Sequence, residues 1–211
     1  MLPTKEEMTA ALRIRQGEEL TEKFSRSTVA VCGLGGLGSN IAISLARAGV
    51  GRLILIDFDK IDITNLHRQQ YKAEQVGMYK TAALSDNLRE IAPYTEFVCH
   101  TTRIDEDNAV GILKDADVIC EAFDAADSKA MLINTVRSQL PHKYIIAASG
   151  MAGWGSVNDI KTRRVSKGFY ICGDGKSDVL TSASLLSSRV MACAAHEAHM
   201  VLRLLSGEED A

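Results

Sequence analysis

Apolar runs and amphipathic stretches alternate along most of this chain. Thr28-Val29-Ala30-Val31-Cys32, Arg52-Leu53-Ile54-Leu55-Ile56, Phe97-Val98-Cys99-His100, Asp117-Val118-Ile119-Cys120-Glu121 and Tyr144-Ile145-Ile146-Ala147-Ala148 read as short strands. The second is apolar on consecutive positions, as strands covered on both faces are. Helical composition separates them over 38–48, 75–92, 106–114 and 127–139, and the second of these stops before Pro93. A leading helix is predicted over 5–24, with Met8, Leu12, Ile14 and Leu20 as a rough stripe that Gly17 weakens. A long closing helix is predicted over 183–205, its apolar side marked by Leu186, Val190, Cys193, Ala194, Val201 and Leu204, with Gly207 just past its end. Residues 156–172 alternate more and carry charges, which predicts an antiparallel pair. The fold expected is α/β: a doubly wound, Rossmann-like, mainly parallel sheet with a short antiparallel extension near the C-terminal part. Residues 1–211 are expected to form one domain, with 1–25 as an N-terminal helical arm.

One turn stands out in this pattern. Gly33-Leu34-Gly35-Gly36-Leu37-Gly38 follows the first strand and opens a helix. Missing side chains at Gly33, Gly35 and Gly38 let the backbone turn tightly and approach a phosphate, and the helix start offers free N–H groups to that anion. Asp57 ends the next strand about 20 residues on, where a carboxylate can accept hydrogen bonds from a ribose. A nucleotide site follows. The turn does not say which nucleotide, and NAD and ATP both remain open at this point.

The next segment narrows the choice. Asp57-Phe58-Asp59-Lys60-Ile61-Asp62-Ile63-Thr64-Asn65-Leu66-His67-Arg68-Gln69-Gln70 is a long polar loop, with Lys80 soon after. A dehydrogenase needs one carboxylate here and then a helix back to the sheet. Arg68 and Lys80 near a phosphate site suit charge developing on a triphosphate during transfer chemistry. Asp124 follows the fourth strand at the same end of the sheet, where a carboxylate can hold Mg²⁺.

These residues carry a family resemblance. The Gly33–Gly38 turn, Asp57-Phe58-Asp59, Asn65-Leu66-His67-Arg68-Gln69 and Lys80 resemble the ThiF/MoeB/HesA branch of the ubiquitin-activating enzyme superfamily. Arg15-Gln16 resembles that family's N-terminal Arg-Gln element. The resemblance runs over roughly 12–206, and its Asp-Phe-Asp to Arg-Gln block is the specific part. It implies ATP bound by Gly33, Gly35, Gly36, Gly38, Asp57, Asp59, Asn65, Arg68, Gln69 and Lys80, with Asp57 on the ribose. It implies that Asn65, Arg68 and Lys80 contact the phosphates, that Asp124 holds Mg²⁺, and that Arg15 reaches a phosphate in the other subunit of a homodimer. The implied reaction is adenylation of the Gly-Gly carboxylate of a ubiquitin-like sulfur carrier, with release of pyrophosphate. The short length and the missing cysteine pairs resemble the compact ThiF-like proteins of thiamine biosynthesis, which implies a ThiS-like carrier, with sulfur supplied by a separate donor protein. The alternatives are a nicotinamide-dependent oxidoreductase on the same sheet, or adenylation of another carboxylate: that of a molybdopterin-synthase carrier, a small molecule or a tRNA-linked group.

The cysteines depart from the family pattern. Many relatives carry two CxxC pairs for zinc; this chain has none, which argues against a structural zinc. Where relatives carry a sulfur-bearing cysteine, Leu180-Thr181-Ser182 stands here, and a serine hydroxyl cannot carry persulfide sulfur. Cys172, read in a loop before Gly173-Asp174-Gly175, is the remaining candidate thiol. Cys32, Cys99 and Cys120 are expected to be buried, and Cys193 to lie in the apolar helix.

Composition excludes more than it selects. Of 211 residues, 46% are hydrophobic and 24% charged, as in ordinary globular proteins. A net charge of −3 gives no basic footprint, so no nucleic-acid partner is expected. No stretch approaches the ~20 apolar residues of a membrane span, and the N-terminus lacks the plan of a signal peptide. A cytoplasmic location is the resulting expectation.

Overall fold

A computed structural model gives the fold; it describes residues 2–182 and 184–211. The strands are β1 (Thr28–Cys32), β2 (Arg52–Ile56), β3 (Glu96–His100), β4 (Val118–Glu121), β5 (Tyr144–Ala148), β6 (Lys161–Ser166) and β7 (Phe169–Gly173). They form one sheet in the order β3-β2-β1-β4-β5-β7-β6. All neighbours pair in parallel except β6 and β7, the antiparallel extension that the sequence predicts. The helices are α1 (Lys5–Gln16), α2 (Glu18–Ser25), α3 (Gly36–Arg47), α4 (Lys80–Ile91), α5 (Ala109–Leu113), α6 (Ala126–Gln139), α7 (Val179–Ser182) and α8 (Ser187–Ser206).

Strand periodicity explains the double winding. On β1, Val29 and Val31 point to one core with Leu37, Ile41 and Leu45 of α3, and with Val190, Ala194 and Val201 of α8. Ala30 and Cys32 point to the other, with Ala109 and Leu113 of α5 and Leu132 and Val136 of α6. Successive side chains of a strand face opposite ways, so a run apolar at every position needs helices on both faces. The chain runs β1 to β2 in one direction and to β4 in the other. The reversal leaves a crevice at the carboxyl ends of β1 and β4.

The helix boundaries depart from expectation in instructive ways. The leading helix breaks at Gly17, and the side chain of Gln16 donates to the carbonyl of Ala48, docking the break on the end of α3. The helix expected over 75–92 begins only at Lys80. Before it, the chain doubles back: Ile61 N–H bonds Met78 O, Gly77 N–H bonds Ile61 O, and Lys80 N–H bonds Asp59 O, at 2.9–3.0 Å. That short antiparallel clasp carries Lys80 back beside Asp59. The closing helix starts at Ser187 and is capped by Gly207, with φ 99°, as a C-terminal glycine favours. No helix among the described residues is long and apolar enough to cross a membrane.

Candidate active site

The crevice opens into a cavity of about 530 Å³ across the carboxyl ends of the strands, within the range of ordinary ligand pockets, roughly 300–1,000 Å³. The glycine turn forms its floor. Gly33 has φ 92°, in the left-handed region, and its N–H bonds the carbonyl of Ile56 at 2.8 Å. A Cβ at Gly33 would press on the backbone of Ala122, and one at Gly38 would overlap the carbonyl oxygen of Gly33. Gly38 therefore serves packing of helix on turn, as its motif position requires. Gly35 and Gly36 line the cavity at the first turn of α3, and a helix start leaves N–H groups free that suit an anion.

Asp57 is fixed at the end of β2. Its Oδ2 accepts from Leu34 N–H at 2.7 Å and its Oδ1 from Asp59 N–H at 2.8 Å. Burial pushes its carboxyl above the usual range, against the lowering effect of the Lys80 ammonium and the two backbone donors. Lys80 Nζ lies 2.9 Å from Asp59 Oδ2 and 3.8 Å from Asp57 Oδ2, and is itself buried. The phenol of Tyr71 donates to Leu34 O at 2.7 Å beneath the turn, and burial, with the charges of Asp57 and Asp59, pushes it far up. Tyr71 is thus a neutral donor holding the glycine turn, a role the sequence did not disclose.

The loop of 57–79 supplies the remaining polar wall. Asn65 Oδ1 accepts from Asp62 N–H at 3.0 Å, closing a short turn, while Asn65 lines the cavity. Arg68 is half-buried and donates to Thr64 O at 3.2 Å. Burial lowers its guanidinium from its ordinary value, and the charge of Asp124 opposes that shift. Arg68 and Asp124 thus face each other electrically across the cavity. Gln69 is buried at its edge, and its Oε1 has no hydrogen-bond partner among the described residues. Buried polar atoms are rarely left unpaired, and an unsatisfied one at a cavity wall suits a ligand contact.

The structure brings Gly33, Gly35, Gly36, Asp57, Asp59, Asn65, Arg68, Gln69, Lys80 and Asp124 to the lining of one cavity. Gly38 lies behind it. Arg15 does not join them; it is exposed on α1, outside the cavity of its own chain. Lys60, Arg103 and Lys129 also line the cavity, and the sequence alone did not single them out. Lys129 Nζ bonds both oxygens of the fully buried Glu121, at 3.1 and 2.9 Å, and the carbonyl of Ala148 at 3.3 Å. A charged residue ending an apolar strand was the available signal for that pair.

Two cysteine expectations need correction. Cys172 is not in a loop: it sits inside β7 and is fully buried. Burial, with Glu197 nearby, pushes its thiol up to about 12, the opposite of an activated thiol. Cys99 is exposed rather than buried, because β3 is the edge of the sheet. Cys32, Cys120 and Cys193 are buried as expected. Among the described residues, no cysteine lines the cavity, and Ser182 lies outside it as well.

Known proteins resemble this one in sequence and in fold. The sequence model of the ThiF family matches residues 9–211. The adenylyltransferase and sulfurtransferase MOCS3 of Caenorhabditis briggsae is 38% identical over 116 residues, 54% of this chain and 29% of that protein. The adenylyltransferase and sulfurtransferase UBA4 of Scheffersomyces stipitis is 33% identical over 139 residues, 64% of this chain and 30% of that protein. The matched part thus spans under a third of those relatives' length. Among solved structures, the E. coli tRNA N6-threonylcarbamoyladenosine dehydratase TcdA in complex with ATP superposes with a TM-score of 0.86 at 20% identity, over 98% of both chains. E. coli MccB with ATP superposes with a TM-score of 0.70 at 22% identity, over 91% of this chain and 59% of that one. The structural likenesses show the fold, and the sequence match spans nearly the whole chain: this protein belongs to the ThiF family.

Proposed function

We propose that the protein is an ATP-dependent adenylyltransferase that activates the C-terminal Gly-Gly carboxylate of a ubiquitin-like sulfur carrier, of the ThiS kind. The observation that carries this reading is the joint placement of Asp57, Lys80, Arg68 and Asp124 around the glycine turn in one cavity. The ATP complexes of TcdA and MccB, which share this fold, support the choice of nucleotide. Family membership also counts against the nicotinamide alternative.

Asp57 takes the ribose hydroxyls with its remaining lone pairs, its orientation set by Leu34 and Asp59 N–H. The start of α3 receives the phosphates. The carboxylate of the carrier attacks the α-phosphorus; the bond to the bridging oxygen breaks, and pyrophosphate leaves with the electron pair. Arg68 and Lys80 neutralise charge on the reacting phosphate, and Asn65 orients it. Asp124 offers one carboxylate, which fits Mg²⁺ arriving on the nucleotide, since that ion takes one or two carboxylates with phosphates and water. No protein nucleophile is required.

With Cys172 buried and its thiol raised, this reading ends at the acyl-adenylate, and sulfur comes from a separate donor protein. The whole chain acts as one unit, and Arg15 on the exposed arm acts in a second copy of the chain, within a homodimer. ATP–pyrophosphate exchange tests the reading. Exchange that depends on a carrier ending in Gly-Gly supports it. Exchange driven instead by a small carboxylate, or by tRNA, moves the substrate elsewhere within the family. Substituting Cys172→Ser tests the sulfur step: loss of thiocarboxylate formation with adenylation intact would return that thiol to the mechanism.

A further inference from the structure

The cavity has two ends. At the β3 end stand Thr102 and Arg103, with Asp57 just after β2. At the β5 end stand Met151, Val179 and Leu185, contributed by the loop after β5 and the segment after β7. Val190 of α8 lies against Gly36, so this second end borders the start of α3.

Two irregular segments build that end, and they interlock. Asp174 N–H bonds Gly150 O at 2.8 Å, Gly175 N–H bonds Ser149 O at 3.0 Å, and Gly153 N–H bonds Ser184 O at 2.9 Å. Arg189 of α8 passes between them and is 3% exposed. Its Nε donates to Ala152 O at 3.2 Å, its Nη1 to Gly155 O at 2.7 Å and to Ser156 O, and its Nη2 to the carboxylate of Asp174. The other oxygen of Asp174 accepts from Lys176 and Ser177 N–H at 2.8 and 2.9 Å. A buried guanidinium is costly, and an apolar side chain would hold α8 to the sheet as well. What an apolar side chain cannot do is gather three loop carbonyls and a carboxylate in one plane. Adjacent residues of α8 thus touch Gly36, at the start of α3, and the loop that carries Met151 into the cavity wall.

We propose that Arg189 is a positioning residue for the carboxylate-accepting end of the cavity: by tying the loop of 149–156 to the turn at Asp174, it fixes the wall against which the acyl group lies. This rests on the adenylation reading above. The nucleotide end is held separately, by Asp57, Lys80 and the glycine turn.

The test compares Arg189→Met and Arg189→Lys with the unaltered protein, using two probes: 5′-O-sulfamoyladenosine and its glycyl-glycyl conjugate, a stable mimic of an acyl-adenylate. Binding is measured by calorimetry and local order by amide hydrogen exchange. Arg189→Met is expected to bind the plain compound within about twofold of the unaltered protein. It is expected to lose about tenfold or more of the added affinity of the conjugate, since small misplacements of a reacting group are costly. Arg189→Lys keeps the charge without the fork and recovers part of that loss. Exchange should quicken over 149–156 and 174–178 and stay slow over 36–47. Unchanged affinity for both compounds in Arg189→Met overturns the proposal, as does equal loss of both with protection lost throughout. If the unaltered protein gains nothing from the glycyl-glycyl group, the Gly-Gly reading falls. Hydrogen exchange then decides for Arg189: selective loosening of the two segments upholds its role, and unchanged protection overturns it.

Discussion

The two ends of the cavity are held by different means. The β1–β2 end is built from backbone geometry and near neighbours: a glycine turn, Leu34 and Asp59 N–H on Asp57, and Lys80 brought back by the clasp of 57–79. The β5 end is built from one buried arginine reaching loop carbonyls that belong to a distant stretch of chain. A site can therefore be half motif and half tertiary contact. The first half tolerates little change in spacing, and the second little change in one side chain.

Breaking the first end should have the largest effect. Lys80→Ala removes the cation beside Asp57 and Asp59 and is expected to slow adenylation about 100- to 1,000-fold, as loss of one preorganised charge-stabilising donor does. Single-turnover rates with saturating ATP read this directly. Arg68→Ala belongs to the same class and should act mainly on the rate, because its guanidinium holds the loop only by long local contacts, to Thr64 O at 3.2 Å and to the ring of His67 at 3.4–3.5 Å. Residual adenylation near the starting level would remove either residue from the mechanism.

Asp57→Asn comes next. It replaces a charged acceptor and is expected to cost about tenfold to 100-fold in ATP affinity. Because burial raises the Asp57 carboxyl, ATP binding should fall on the acid side at a higher pH than an ordinary aspartate would impose. The Asn variant should lose that acid limb. An identical limb in both proteins would mean that another group titrates.

The β5 end should answer in stability. Burial alone would raise the Asp174 carboxyl, but donors from Ser177, Lys176 and Arg189 hold it down at about 2. A carboxyl depressed in the folded state stabilises above its unfolded value and loses that contribution as pH falls through the folded value. Asp174→Asn should therefore lose about 1–2 kcal/mol at neutral pH. Relative to the unaltered protein, that difference should shrink between about pH 4 and pH 2. Urea melts across that range check it, and a pH-independent difference would contradict it.

The smallest effect is expected at Glu197, on the inner face of α8. It is fully buried, and neither carboxylate oxygen has a hydrogen-bond partner among the described residues. Burial, reinforced by the charge of Glu121, pushes it well above its ordinary value. A carboxyl raised on folding supports stability at low pH and loses that support as pH rises. Glu197→Gln should be near neutral in mild acid and comparatively more stable as pH increases. A steady loss of stability at all pH values would show that the carboxyl has a partner worth keeping.

These contrasts also explain what the sequence could say. The alternation of apolar runs and helices, the glycine turn and the spacing to Asp57 are local, and each survived in the structure. Helix ends were less legible: the start of α4 depends on the clasp between Ile61 and Met78, and Gly17 was strong enough to split the leading helix. Cys172 was misplaced because β7 turns back into the sheet beside β5, which no local pattern announces. Cys99 was misplaced because an apolar run does not say whether its strand is central or at the edge. Arg189 was invisible for the same reason as Cys172. In Ser187-Ser188-Arg189-Val190 it reads as one more polar position on an amphipathic helix, and only folding puts carbonyls around it.

The account rests on adenylation of a carboxylate, and one measurement reaches that chemistry without relying on any variant. A carrier ending in Gly-Gly, incubated with this protein and Mg·ATP, is weighed intact by mass spectrometry while pyrophosphate is assayed in parallel. The account predicts a carrier bearing one added adenylyl group and an equal amount of pyrophosphate. A carrier that stays unmodified, with no pyrophosphate formed and with NAD displacing ATP from the cavity, would contradict it.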